Sequence, residues 1–584
     1  MKRRRFIVTG ISVAAAGLAL GSDACSGGGG GGGSLPPHSL PSQAPPPPGV
    51  HVHELTAQYA VTTIKGYKLR TRTYSGRTLG PPIETRPGKM LAVRIVNRLP
   101  QNRPARIPQG SVPVPAVRDS MQAMNARFRG PTKPSRAIDR MNNPHGFNTT
   151  NLHVHGIQTI PHIFSPLGTS DPSAPMLTID PGKSFLYKLP VPSDQPSGLH
   201  WYHPHKHGST DVQLSGGMAG AIVVRGAIDE VPEISVAREI FLIVQSLNVN
   251  PSTTQRGLYE REYVAYEPPA KGGYSFGTQF TMLTVNGDGI YWIRNAESGS
   301  APVFTPLGVP EFQVSPGEVV RLRLLNGTNF IPFFLALPEF YAWQIGFDGV
   351  NTLQAYSFDM TGAHTTLVTP ENLFSAPIQV AAAANRIELL LQAPKKEGTY
   401  ALSSLASSNL PPSPGPKFEL ARFVVTGGPK NMRIPTVLPK PRREYPIIGD
   451  RDIVTTRRFL FSEGPRKDLL TGFGFTINGA LYDEMMCPTQ PKVGTCEEWI
   501  IENDTPDLHP FHLHDNAFQL FEVNGKPVYP IQIWDTYPIP PKYNGVNGRL
   551  RIRVRFKEWT GKSVLHCHVA PHSDTGMMQN VLIT

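Results

Sequence analysis

The sequence predicts an all-β chain of three related β-sandwich domains, and three observations predict it. Gly (55) and Pro (60) together make nearly a fifth of the 584 residues, the turn-rich composition of many short strands. Only 17% of the residues are charged, too few for long solvated helices. A strand motif also recurs three times at a spacing near 200 residues, which suits large repeated domains and not a short-period solenoid. The length buries several cores without a disulfide scaffold. The composition excludes a coiled coil, and no long apolar run marks a multispan membrane protein.

The chain opens on Lys2, Arg3, Arg4 and Arg5, followed by the short apolar run of residues 6–20. A basic start and an apolar stretch too short to cross a bilayer have the layout of an export signal, and Arg3-Arg4-Arg5-Phe6-Ile7 resembles the twin-arginine type. Cys25 follows, then a Gly tract at 27–33 and a Pro-rich stretch to residue 49. We read 1–24 as an export signal and 25–49 as a flexible linker, with Cys25 as a candidate membrane tether. A periplasmic or secreted location is expected, and a monomer.

The repeat consists of a Pro-Gly-like turn, an alternating or apolar strand and a closing Asn. Its copies are Pro87-Gly88 to Asn97, Pro316-Gly317 to Asn326 and Val493-Gly494 to Asn503. Alternation within each run reads as a half-buried strand. With Pro-bearing connectors near 230 and 435, the domains are expected at 50–230, 231–435 and 436–584. An insertion at 99–150 carries eight Lys/Arg against Asp119 and Asp139, and a short helix is expected around 118–129. The formal net charge of +12 therefore comes partly from the targeting segment and partly from this insertion. No continuous basic face with interleaved aromatics argues for nucleic-acid binding.

The histidines carry the chemistry. Of 18 His, 12 fall in four short windows: Leu152–Gly156, Leu199–Gly208, His509–His514 and His566–His572. Two imidazoles at i and i+2 on a strand point the same way, and imidazole is the commonest metal ligand. The last window points to the metal. A thiolate from Cys567, imidazoles from His509 and His572, and a weak axial sulfur from Met577 make the donor set of an electron-transfer copper. The closed Cys-X-X-Cys spacings that zinc prefers do not occur. If 566–568 is extended, Cys567 faces one side and His566 and His568 the other, joining one metal to a second group through a few covalent bonds. Eight imidazoles remain: His153, His155, His203, His205, His512, His514, His566 and His568. They suit three coppers in sets of three, three and two. One single copper and a cluster of three store the four electrons that take dioxygen to water.

These four windows, in this order, resemble the multicopper oxidase family, which includes laccases, over about residues 55–584. The resemblance implies three cupredoxin-like Greek-key β-sandwich domains and four copper ions: one type 1, one type 2 and two type 3. Carried over by position, type 1 takes His509, Cys567, His572 and Met577. Type 2 takes His153 and His512. The type 3 pair takes His155, His203, His205, His514, His566 and His568. The partners implied are dioxygen and a small-molecule or metal-ion electron donor. The middle domain, whose one His is His364, is expected to act as a spacer and partial substrate wall.

Proton supply is the less specific part of the pattern. Asp171 resembles the family's acidic residue near the type 2 copper, although Asp171-Pro172 also reads as a turn. Many bacterial relatives have Glu directly after the last His. Here Ser573 stands there, and Asp574 follows as the candidate acid. His200 and His207 are expected in supporting or surface positions, and Cys487 and Cys496 either pair or stay as thiols. Two other function classes compete: an exported copper-binding resistance protein and a non-catalytic cupredoxin-fold scaffold.

Overall fold

A computed structural model describes residues 47–102, 141–261, 278–295, 302–361, 367–374, 379–408, 410, 415–441, 443, 445–466, 468–469 and 472–584. The expected export signal, Cys25, most of the insertion with its expected helix, and His364 lie outside the described residues.

Strands are the dominant regular structure of the described chain, and each copy of the sequence repeat becomes the same piece of sheet. Met90–Asn97 pairs parallel with Val52–Ile64, Val319–Asn326 with Arg238–Pro251, and Cys496–Asn503 with Ile453–Pro465. The turn before each strand places Gly88, Gly317 and Gly494 at positive φ (77°, 73° and 85°), a region glycine enters without the Cβ clash. The Asn closing each strand locks the following loop. Asn97, Asn326 and Asn503 each accept the N–H two residues on and donate to two backbone carbonyls. In the third copy that loop leads directly into His509.

Each repeat belongs to a pair of facing sheets. In the third, a six-stranded sheet containing Ile453–Pro465 and Cys496–Asn503 covers a four-stranded sheet. The latter runs in the order Thr536–Ile539, His509–Leu513, Gly561–Cys567, Met578–Ile583. Side chains two apart (Phe459 and Phe461, Trp499 and Ile501, Leu550, Ile552 and Val554) fill the space between, and Cys567 is part of the same core. Burying each of the large ones contributes about 1.5–3 kcal/mol. A matching four-stranded sheet near the other end runs Ile83–Thr85, Gly220–Val224, Gly198–His203, His153–His155. The short strand Leu258–Glu260 pairs with both Tyr67–Tyr74 and Arg238–Pro251. It fuses the first and middle modules into one 13-stranded sheet. The expected division near 230 falls just ahead of Arg238–Pro251. Among the described residues no helix is long and apolar enough to cross a membrane.

Candidate metal centre

Strand register sets the geometry. Phe511 pairs with Cys567 and His512 with His566, so alternation sorts these side chains onto opposite faces of the sheet. Phe511, Leu513, Leu565 and Cys567 turn into the sandwich core. His512, His514, His566 and His568 turn outward, towards the first module. There, His153 pairs with His203 and His155 with Trp201.

On the core side, the Cys567 sulfur lies 3.5 Å from His509 Nδ1 and 3.8 Å from His572 Nδ1, and the two nitrogens are 3.2 Å apart. Met577 is fully buried, and its carbonyl accepts the Cys567 N–H at 3.0 Å. His509 Nε2 lies 2.8 Å from Thr505 Oγ1, which leaves Nδ1 to face the sulfur. Phe475 stacks on His572 at 3.8 Å. Burial pushes the His509 imidazole down to about 3 and raises the Cys567 thiol. The imidazoles are therefore neutral, in their ligand form, and a metal must displace a proton from the sulfur.

On the outer side, the eight imidazoles converge in three groups of three, each with ligand atoms within 4.8 Å of one another. His153, His155 and His512 form one. His155, His203 and His568 form the second, sharing His155 with the first. His205, His514 and His566 form the third, with their Nε2 atoms 3.1 Å apart. All eight are buried, and burial holds each below its ordinary value, His203 and His512 at about 3 and His566 at about 4.

The donor set fits copper on a further observation. A buried polar atom without a partner is costly, and here several such atoms face one space: Nε2 of His153, His203 and His512, Nδ1 of His155, and both ring nitrogens of His568. The opposite nitrogen is in several cases tied down, which fixes the tautomer. His155 Nε2–H donates to Asp535 Oδ1 (3.0 Å), and His512 Nδ1–H to the Asp535 carbonyl (2.8 Å). His203 Nδ1–H donates to Pro204 O, and His566 Nδ1–H to Cys567 O. His153 Nδ1 faces His162 Nε2 at 3.2 Å. A ring of imidazoles with held tautomers and free lone pairs pointing inward is what a metal cluster requires.

Two expectations change. Asp171 is exposed and caps the turn reading of Asp-Pro. It accepts from the Ser173 N–H and hydroxyl, which lower its pKa, and it stands outside the buried imidazole groups. Asp574 is buried, but its carboxylate accepts from the backbone N–H groups of Gly208 and Asp211, tying the helix Ala570–Asp574 to Thr210–Leu214. Burial raises it to about 7, with those hydrogen bonds opposing. Its observed contacts are those of a joint between the modules. His200 and His207 are buried, not at the surface. Cys487 and Cys496 are free thiols.

The middle module does more than space the others. Arg386 of the strand Arg386–Gln392 donates from Nη1 and Nη2 to Asp535 (2.8 and 2.5 Å) and lies 3.4 Å from Asp348. Burial alone would raise the Asp535 carboxyl, but Arg386 pulls it below its usual value, so it remains a full acceptor for His155. Asp535, Thr536, Arg386, His162 and Thr505 carry no sequence motif. Only His162, seven residues past His155 in an Ile-Pro-His run, offered a visible signal.

Two multicopper oxidase family models match the chain, over residues 110–228 and 457–584, one on each His-bearing module. A laccase of Bacillus subtilis is 23% identical over 67% of this chain and 72% of its own length. A multicopper oxidase of Staphylococcus haemolyticus is 23% identical over 88% and 84%. Among solved structures, a multicopper oxidase of Pseudomonas thermotolerans superposes with a TM-score of 0.59, at 19% identity over 91% of this chain and 99% of that one. The multicopper oxidase of Campylobacter jejuni, described as a metallo-oxidase, gives 0.60 at 20% identity over 91% of each. With two copper-type donor sets on the opposite faces of one strand pair and these likenesses, the chain is a member of the multicopper oxidase family.

Proposed function

We propose that the protein is an exported, laccase-like oxidase. It takes electrons singly from phenols, aromatic amines or metal ions beside His509 and His572, and passes four of them to dioxygen at the imidazole cluster. The observation that carries this reading is the alternation at position 567: sulfur inward, His566 and His568 outward. Copper bound at these groups would supply one-electron redox steps and the four-electron reduction of dioxygen to water.

The chain's own residues prepare that chemistry. His509, Cys567, His572 and Met577 would hold the type 1 ion in a dry core. His153 and His512 would hold type 2, with the other six imidazoles holding the type 3 pair. The peptide joining Cys567 to its neighbours is the shortest covalent path between the two sites. Asp535 orients His155 and His512, and Arg386 keeps that carboxylate ionised.

The rim supports cationic donors. Glu463 is raised to about 7 by burial and by Asp507 and Asp504, and burial raises Asp507 to about 6. Both lie near enough to Cys567 to oppose its ionisation. Around neutral pH such a rim gathers negative charge and attracts amines and metal cations. Export, a tether at Cys25 and a monomeric state rest on the sequence alone. The complete ligand set argues against a scaffold that has lost its metals.

A copper-loaded sample given a phenolic donor without air, then opened to air, tests the reading. An intense visible thiolate–copper band should bleach and return with oxygen uptake. A sample that binds copper but takes up no oxygen with any donor would instead be a resistance protein that sequesters metal.

A further inference from the structure

A cavity of about 880 Å³ opens between the middle and third modules, and none of the metal-binding groups lines it. Neither His509, Cys567, His572 and Met577 nor Phe475 lines it. Its size is that of a site for a ligand of two or more rings. The wall carries a continuous row of rings: Phe347 to Trp534 at 4.5 Å, Trp534 to Tyr537 at 5.2 Å, and Tyr537 to Phe374 at 6.2 Å. Phe347, Tyr537 and Phe374 are half-buried and offer ring surface to a planar guest, with Trp534 packed behind them in the third module's core.

The rim adds a second observation. Leu353 (56% exposed), Ile447 (68%) and Tyr529 (94%) all line the mouth. They are three of the exposed large apolar side chains among the described residues, gathered at one opening. Apolar side chains concentrated at a cavity mouth mark an interaction site more than scattered ones do.

Charge selects the guest. Lys440, Lys526 and Arg443 line the cavity, and among its described lining residues there is no Asp or Glu. Arg443 is balanced by Asp194 and Glu558. Lys440 and Lys526 are exposed and form no salt bridge among the described residues. The opening therefore offers two uncompensated ammonium groups above an aromatic wall, the opposite of the acidic groups near Cys567.

We infer that this cleft is a second small-molecule site that binds aromatic anions, aryl carboxylates or sulfonates of two or more rings. It is separate from the place where donors are oxidised. The rings of the guest lie along Phe347, Tyr537 and Phe374, and its anionic group faces Lys440 and Lys526.

Titration calorimetry on the copper-loaded full chain tests this with naphthalene-2-sulfonate and its neutral isostere, naphthalene-2-sulfonamide. The sulfonate should bind once per chain and about tenfold more tightly than the sulfonamide, from two exposed charge attractions. The Lys440→Gln/Lys526→Gln double variant should erase that preference and leave sulfonamide affinity unchanged. Tyr529→Ala should weaken both ligands. These are exposed side chains, so folding is not at risk. Equal affinity for the two ligands, or a preference that survives the double variant, would overturn the inference. So would competitive inhibition of phenol oxidation by the sulfonate, which would put the guest at the copper rim.

Discussion

Replacing Asp535 by Asn should empty the imidazole cluster while sparing the sulfur site. The Asp535 carboxylate accepts the His155 ring N–H at 3.0 Å and the Thr536 hydroxyl at 2.9 Å, and neutralises Arg386 through two further bonds. An amide of the same shape keeps one oxygen but loses the charge. Two costs follow. A metal-bound imidazole deprived of its carboxylate partner loses about 10- to 100-fold in metal affinity. Arg386, buried and fully covered, keeps Asp348 as its one remaining carboxylate partner among the described residues, and breaking one side of such a buried ionic network costs about 3–5 kcal/mol of folding stability. The sulfur site shares neither partner, since His509 leans on Thr505 and Cys567 sits in the third module's core. Copper content at chelator-buffered free copper, the visible band and thermal unfolding measured on one sample separate the two. The expected result is a normal visible band, fewer than four coppers and a lowered melting temperature. Four coppers with unchanged melting would refute the claim that Asp535 organises the cluster.

Three other outcomes follow from the same geometry. Cys567→Ser should abolish the visible band and donor oxidation while leaving most copper in the cluster, because His566 and His568 stay on the opposite face; metal analysis with electron paramagnetic resonance checks it. Type 1 loading should tighten about tenfold per pH unit between pH 6 and 8, because the buried thiol sits above its ordinary value and must lose a proton to bind, whereas the imidazoles are already neutral; competition against a copper chelator measures this. The Glu463 carboxyl, raised to about 7, is neutral below that pH and charged above it. KM for a cationic donor should thus fall about threefold from pH 6 to 8, KM for a neutral phenol should not share that fall, and Glu463→Gln should flatten the difference.

Much of this was legible because metal donors leave few alternatives. His-X-His on a strand fixes a common face, and a Cys between two His fixes opposite faces, whatever the rest of the sandwich does. The threefold repeat was readable for a similar reason: a positive-φ glycine and a loop-locking Asn are local needs. What stayed hidden depends on chain segments far apart in sequence. Asp535 meets His155 across 380 residues, and Arg386 joins them from the module that carries no ligand in either copper set. Nothing near any of the three in sequence shows that contact. Asp171 illustrates the opposite case. A motif position suggests a relay, but the structure shows a turn in which Ser173 donates twice to one carboxylate oxygen and the side chain stays exposed, outside the buried imidazole groups. Asp574 kept the buried setting of an acid yet spends both oxygens on backbone N–H groups.

The middle module explains why the cluster needs all three. A site assembled from two separate sandwiches is only as well defined as the joint between them. The imidazoles of the first module and those of the third meet without covalent connection, and mutual desolvation of eight neutral rings leaves lone pairs unpaired until metal arrives. Something else must hold the faces in register beforehand. Arg386 does so from the side: its guanidinium reaches the Leu199 carbonyl of the first module, Asp348 of its own and Asp535 of the third. Asp348 in turn accepts the N–H groups of Asp535 and Thr536. On this reasoning Arg386→Met should loosen the cluster more than an outward ligand substitution such as His568→Ala, because it releases three surfaces at once. Hydrogen exchange on the copper-free protein gives the answer directly. Faster exchange in both Gly198–His203 and Thr536–Ile539 supports the joint, and a change confined to the middle module would refute it.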